Sequence, residues 1–243
     1  MYQTALADKV AVVTGAGRGI GRAIAISLAS QGVKVSLAAR TRSELDDTAT
    51  HIRSQGGQAS VHQTDMSDED SVSRLVIDTV DPWGRLDIVV NNAGIGIFQP
   101  LEQTTIEAWN QIQDVNARGT FLLCREAVAH LRRQQLSFII NIASVVAVKG
   151  YSNQAAYAAS KHAMLGMSKS LAKEVQDDGI RVHVINPGGV ATDMVRQARP
   201  DLNPDELIQP QDIADIVLFL VSRQGNAVID EVNVRRAISP PWA

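Results

Sequence analysis

Residues 9–28, KVAVVTGAGRGIGRAIAISL, decide the fold. A short valine-rich run, residues 9–14, leads into Gly15-Ala16-Gly17-Arg18-Gly19-Ile20-Gly21 and then into an apolar-periodic segment at 23–28. This reads as strand, glycine turn, helix. Glycines let the backbone approach a pyrophosphate and let the helix pack closely on the strand, while the helix N-terminus offers N–H groups and a positive dipole end. Turn glycines are common by themselves. Their place here, straight after a first strand and straight before a helix, is what a dinucleotide site requires.

Working outward, the same alternation repeats. Apolar runs at 33–39 (VKVSLAA), 59–62, 86–90 (LDIVV), 138–142 (FIINI), 181–185 (RVHVI) and 227–234 (AVIDEVNV) read as further strands. Helical patterns fall at 45–53, 68–80, 106–133, 154–173 and 211–221. The expected fold class is α/β: a single-domain Rossmann fold over residues 1–243, with a doubly wound, seven-stranded parallel sheet covered by helices on both faces. Ligands in such sheets bind outside the carboxyl ends of the strands. A substrate loop is expected at about 188–210.

With 243 residues and 45% hydrophobic content, the chain can bury one sizeable α/β core, although length alone also allows two small domains. The net charge of −3, with acidic and basic residues mixed, offers no basic stripe and speaks against nucleic acid. A single cysteine, Cys124, excludes an internal disulfide and, in its apolar context, reads as core; a cytoplasmic setting fits. The N-terminus lacks a charged-then-apolar leader, and no apolar run approaches the roughly 20 residues of a bilayer span. The five histidines show no short ligand spacing, so no metal is expected.

The chemistry is expected between Asn141 and Lys161. Tyr157 and Lys161, four apart, share one helix face. A phenol of pKa roughly 10 needs about 4 kcal/mol of phenolate stabilisation to titrate near neutrality, and a fixed cation can supply much of it. Ser144, heading the loop that returns to the same helix, would share the oxygen of a bound carbonyl. Tyr-x-x-x-Lys also occurs by chance on exposed helices.

At the end of the second strand stand Ala39 and Arg40, where an acidic residue would accept from a ribose 2′-OH. Arg40, Arg42 and Arg18 could surround a 2′-phosphate instead, so the cofactor is read as NADP(H), with NAD(H) less favoured. Solvated surface arginines are the plain alternative. Asp65 reads equally as an acceptor for an adenine amino group or as part of the cap of the next helix. Asn91 and Asn92, beside Ala93 and Gly94, either let the chain pass close to a cofactor or brace neighbouring strands. Asn116, inside an apolar helix, is either functional or a satisfied core amide. Thr192 is a plausible hydroxyl donor to a carboxamide.

With these motifs in order (TGAGRGIG at 14–21, Asp65, NNAG at 91–94, Asn116, Ser144, Tyr157-x-x-x-Lys161, and Asn186-Pro187-Gly188 with Thr192), the chain resembles the short-chain dehydrogenase/reductase family over nearly its whole length. The resemblance implies a catalytic tetrad of Asn116, Ser144, Tyr157 and Lys161. Ser144 would polarise a carbonyl and Tyr157 would exchange the proton; Lys161 would depress the phenol pKa and hold the nicotinamide ribose, and Asn116 would anchor a relay water. Cofactor contacts would fall on Gly15, Arg18, Gly19, Ile20, Gly21, Arg40, Asp65, Asn92, Ala93, Gly94, Tyr157, Lys161, Pro187, Gly188, Val190 and Thr192. The substrate pocket would be lined by Ile95, Ile97, Phe98, Val146, Tyr151 and Met194, under a short and therefore open lid.

The reaction implied is NADPH-dependent reduction of a ketone or 3-oxo compound. Oxidation of a small hydroxy acid, sugar or polyol is the enzymatic alternative, and a non-catalytic NADP(H)-binding sensor or scaffold the alternative of another kind. The ending at 229–236, without a glycine-rich DGG-like segment, resembles broad hydroxy-acid and carbonyl reductases more than acyl-carrier-protein reductases. A homotetramer, or a homodimer, through the helices at 106–133 and 154–175 and the last strand is also implied.

Overall fold

Residues Val10–Thr14, all buried, form β1, and the sheet grows outward from it. On one side β1 pairs with β2 (Lys34–Ala39), and β2 with β3 (Ala59–Gln63). On the other side come β4 (Ile88–Asn91), β5 (Ser137–Ile142), β6 (Ile180–Pro187) and β7 (Glu231–Val234). Every pairing is parallel, and the seven strands lie in the order β3-β2-β1-β4-β5-β6-β7. The order turns back at β1 and β4, so the loops after these strands flank the crevice in which a Rossmann sheet takes its ligand. The structure, a computed structural model, describes residues 6–241. The expectation about an N-terminal leader falls partly on residues 1–5, outside the described residues.

The helices are α1 (Gly19–Ser30), α2 (Arg42–Ser54), α3 (Glu69–Trp83), α4 (Ile106–Gln113), α5 (Gly119–Leu131), α6 (Ala155–Val175), α7 (Asp193–Ala198) and α8 (Pro210–Val221). One face of the sheet packs Val13, Val35 and Ile140 against Ile24, Leu45 and Ile213 of α1, α2 and α8. The opposite face packs Val12, Val89 and Ile139 against Leu75, Leu122 and Val175 of α3, α5 and α6. Burial on both faces is why the inner strands read as continuous apolar runs rather than alternating ones.

Four boundaries differ from the sequence reading. The helical region expected at 106–133 is interrupted by a π-turn, Asp114–Arg118, in which the Gly119 N–H bonds to the Asp114 carbonyl five residues back. Strand β6 continues through Pro187, which lies in register with Val234. Strand β7 is four residues long rather than eight; the Ile229 and Asp230 carbonyls still accept from His183 Nδ1 and Val184 N, but no ladder forms before Glu231. Finally, the expected loop at 188–210 holds α7, capped by Thr192, whose hydroxyl accepts from Val195 N at 3.4 Å, and a 3₁₀ turn at Pro204–Glu206. No helix among the described residues is long and apolar enough to cross a membrane, and none of their His, Cys, Asp and Glu side chains form a group that could hold a metal.

Candidate active site

The glycine turn after β1 is shaped by its neighbours. Gly15 and Gly19 have φ of +64° and +55°, the left-handed region that glycine adopts without steric cost. At Gly21 any Cβ would collide with the Gly15 carbonyl and the Asn92 amide, so α1 is seated directly on the turn. Arg18, the N-cap of α1, makes no side-chain cap, and no acidic residue occupies the first turn. A helix start of this kind suits an anion.

The loop after β4 is tied to that turn. Asn92 Nδ2 donates to the carbonyls of Thr14 at 2.9 Å and Gly15 at 3.3 Å, and Thr14 Oγ1 accepts from Asn92 N and Ala93 N, each at 3.0 Å. Asn91 Nδ2 donates to Asn141 Oδ1 at 2.8 Å, linking β4 to β5. Both asparagine side chains brace strands and turns.

Around the expected phosphate position the three arginines differ. Arg18 lies 3.2 Å from Asp193 and 3.9 Å from Glu44, and Arg42 pairs with Asp46 at 3.3 Å. Arg40, exposed at the end of β2, makes no side-chain hydrogen bond or ion pair among the described residues. Asp65 lies in the cap region of α3, its carbonyl accepting from Asp68 N at 3.2 Å and its N–H donating to Ser71 Oγ at 3.1 Å, but it is not the capping side chain. That role belongs to Asp68, whose carboxylate accepts from Asp70 N and Ser71 N. Asp65 Oδ1 accepts from Ser67 N at 2.9 Å and Ser67 Oγ at 2.7 Å, bonds that hold its carboxyl below the usual carboxylate range.

Tyr157 and Lys161, one turn apart on α6, are both buried, and the ammonium lies 5.9 Å from the centre of the phenol ring. Lys161 Nζ donates to the Ile142 carbonyl at 2.9 Å, which anchors the side chain to the end of β5. The Phe98 ring meets the Tyr157 ring edge-on at 5.6 Å and 73°. Burial acts against the expected lowering of the phenol pKa. Burial pushes the phenol up to about 12, against a smaller downward pull from Ser144, and burial pushes the Lys161 ammonium down to about 8. Removal from water disfavours the charged form of each.

Ser144 begins the 3₁₀ turn Val145–Ala147, and its hydroxyl is held loosely, accepting from Val146 N at 3.3 Å and donating to the Pro187 carbonyl at 3.5 Å. Asn116 sits within the π-turn and is wholly buried. Its amide bonds Ile95 N at 2.8 Å, Ile95 O at 2.9 Å and Ser160 Oγ at 3.0 Å. Its side chain thus ties the start of the 95–98 segment to α6. Gly94 runs directly past it: a Cβ there would come within 3.3 Å of Asn116 Oδ1 and 3.6 Å of Lys161 Nζ.

Ser144 and Tyr157 open onto a cavity of about 920 Å³. Phe98, Val146, Tyr151 and Met194 line it, as expected from the sequence; Ile95 and Ile97 are not among its lining residues. Gly188 lines it too, with its N–H bonded to the Val234 carbonyl at 2.7 Å, while Val190 is buried and bridges to Ile208. Thr192 stands over the glycine turn, its Cγ2 3.2 Å from where a Gly19 Cβ would be. The sequence reading missed the wall built from Lys149, Arg199 and the segment after β7, including Arg235, Arg236 and Pro240. Cys124 is buried and accepts from Asn91 Nδ2; burial pushes its thiol up to about 12, as befits a core residue rather than a nucleophile.

Similar proteins give the chain its family. A family model described as short chain dehydrogenase matches residues 9–203. The 3-oxoacyl-[acyl-carrier-protein] reductase of Synechocystis sp. is 37% identical over 237 residues, 93% of this chain and 94% of that protein. A metagenomic short-chain oxidoreductase solved in complex with NADP is 35% identical, with a TM-score of 0.85 over 96% of this chain and 100% of the other. The alcohol dehydrogenase of the archaeon Thermococcus sibiricus, solved with 5-hydroxy-NADP, is 28% identical, with a TM-score of 0.89 over 97% of this chain and 99% of the other. From its glycine turn to its Tyr157–Lys161 helix, the chain belongs to the short-chain dehydrogenase family of oxidoreductases.

Proposed function

We propose that the chain is an NADP(H)-dependent oxidoreductase that interconverts a ketone or 3-oxo compound and its secondary alcohol, with Tyr157 as general acid and base. The observation that carries this reading is the meeting of Tyr157 and Ser144 on one cavity wall, with Lys161 anchored one turn along α6. When bound, the nicotinamide supplies the hydride. The glycine turn, the Asn92–Gly94 loop and Lys161 would hold the cofactor, and Arg40 its 2′-phosphate. Relatives solved with NADP and 5-hydroxy-NADP support that choice.

The loosely held Ser144 hydroxyl is free to turn toward a carbonyl oxygen and polarise it. Tyr157, protonated at neutral pH, gives its proton to the developing alkoxide, a stronger base than the phenolate left behind. A proton on Lys161, one turn along the same helix, then stabilises that phenolate. Asn116 acts through position, fixing Ile95 and so the path of Gly94. Residues 188–210 form the substrate-facing loop of one domain.

The name of the Synechocystis relative supports a 3-oxo substrate, while the polar 229–236 ending points to other reductases; both lie within the proposed class. Exposed Ile106, Trp109 and Phe121 on α4 and α5 support self-assembly, as a tetramer or a dimer. The single reduced-type cysteine supports a cytoplasmic setting.

The test is loss of NADPH absorbance over a panel of ketones, 3-oxo esters, 3-oxo thioesters and diketones, with NADH in parallel and Tyr157→Phe as control. Turnover with NADPH that Tyr157→Phe abolishes, with NADPH affinity kept within about a few-fold (under ~1 kcal/mol), is the expected result. Undiminished turnover by Tyr157→Phe overturns the mechanism, and tight NADPH binding with no turnover in either direction favours a sensor.

A further inference from the structure

The substrate cavity is electrostatically one-sided. Acidic residues outnumber basic ones in the chain, 26 to 23, yet the cavity's charged lining residues are Lys149, Arg199, Arg235 and Arg236, with no Asp or Glu among them. The rest of the lining is largely apolar, with Phe98, Val146 and Met194 on the expected side.

Two of the four cations are already engaged. Arg199 forms a paired bond with Asp201, Nε to Oδ1 at 2.8 Å and Nη2 to Oδ2 at 2.7 Å. Arg235 Nη1 donates to the carbonyls of Arg236, Ala237 and Ser239 at 3.1, 3.0 and 2.9 Å, which curls the tail into a cavity wall. The other two are uncommitted. Lys149 and Arg236 are half-buried, and neither side chain has a hydrogen bond or ion pair among the described residues. The stem of Arg236 lies along the backbone of Gly189, its Cδ 3.7 Å from where a Cβ would stand. Lys149 follows the 3₁₀ turn that begins at Ser144, with its N–H fixed to the Val145 carbonyl at 3.1 Å. Asp201 is the acid within electrostatic reach of Arg236, and it is held by Arg199.

A half-buried cation without a partner, in a cavity without a carboxylate, is a recognition element awaiting an anion. We infer that the substrate carries an anionic group, a carboxylate or a phosphate ester, separated from its carbonyl by an apolar stretch and held by Arg236 and Lys149. This rests on the cavity being the substrate site of the oxidoreductase proposed above. Arg236 offers the planar donor pair and Lys149 the point charge. The carbonyl end falls to Ser144 and Tyr157, so one cavity reads both ends of the molecule.

The anion site is tested without turnover, by calorimetric titration of the protein with hexanoate, hexyl phosphate and hexanol. The expected result is that one anion binds at least about tenfold tighter than hexanol (~1.4 kcal/mol), that added salt narrows the margin, and that Arg236→Gln or Lys149→Gln narrows it too. The tighter of the two anions names the source. Equal binding of anions and hexanol, or a margin untouched in both variants, overturns the inference. In parallel, NADPH turnover of a matched oxo acid and its methyl ester speaks to the reaction. Turnover of the ester with no margin for the anion leaves the oxidoreductase standing and removes the anion site; an anion margin without any turnover does the reverse.

Discussion

The Arg18 guanidinium lies 3.2 Å from the Asp193 carboxylate, which ties the glycine turn after β1 to the first residue of α7. An arginine proposed to help meet a 2′-phosphate is thereby shared with an acid on α7. Exposed pairs of this kind contribute about 0–1 kcal/mol. Asp193→Asn is expected to tighten NADPH binding by up to about fivefold, with little effect on NADH, as read by fluorescence titration. Weaker NADPH binding would mean that Asp193 aims Arg18 at the phosphate instead of competing for it.

Arg40 is the residue proposed to carry the cofactor choice, being the one of the three arginines that pairs with no acid among the described residues. Arg40→Asp sets a carboxylate where the 2′-phosphate is proposed to lie. The ratio of kcat/KM for NADPH over NADH should fall by about tenfold or more, a change of ~1.4 kcal/mol. An unaltered ratio would move the phosphate elsewhere.

Burial of Lys161 makes folding depend on pH. Its folded value of about 8 lies below the ordinary 10.5, so between the two the unfolded chain holds a proton that the folded chain does not. Stability from this residue therefore rises with pH across that window, by on the order of 3 kcal/mol when complete. The stability of Lys161→Met minus that of wild type should shrink from pH 8 to pH 10.5 in urea titrations. A constant difference would mean that the ammonium is better solvated than its burial implies.

Asn116 supplies three hydrogen bonds from a wholly buried position. Asn116→Ala leaves Ile95 N, Ile95 O and Ser160 short of partners, at a cost of roughly 2–4 kcal/mol. The urea midpoint should fall with its slope unchanged. A loss below about 0.5 kcal/mol, the range of ordinary surface changes, would show that water replaces the amide without penalty.

Ile106 and Phe121 expose 69% and 47% of their surface on α4 and α5. Light scattering should return a mass above that of one chain, and Phe121→Glu should lower it. A single-chain mass for the wild type would end the assembly proposal.

The inner strands β1, β2, β4, β5 and β6 were legible because two-sided burial writes itself as largely apolar runs, VAVVT of β1 being the plainest. The edge strand β7 was legible in place but not in length. Val228 and Ile229 are apolar in sequence yet 47% and 40% exposed, and only the position of β6 decides where pairing begins. Tyr157 above Lys161 followed from helical spacing, whereas the direction of their titration did not, since burial is a property of the assembled fold. The same holds for Arg18, whose acidic partner is 175 residues away, and for the tail wall, which reaches the cavity through the bond from Gly188 to Val234.

The π-turn at Asp114–Arg118 makes length, rather than composition, the guarded property of this helical stretch. Each residue of an α-helix advances the chain by about 100°, and the π-turn holds one residue more than an α-helical turn would. Deleting one residue there would restore a regular helix with α4 and α5 kept near their present faces, and would remove the bulge that aims Asn116 at Ile95. Asn116 would leave Ile95, and the loop that passes Lys161 would lose its support. Substitutions on the exposed face of α4 leave this bulge untouched, whereas a one-residue deletion within it does not.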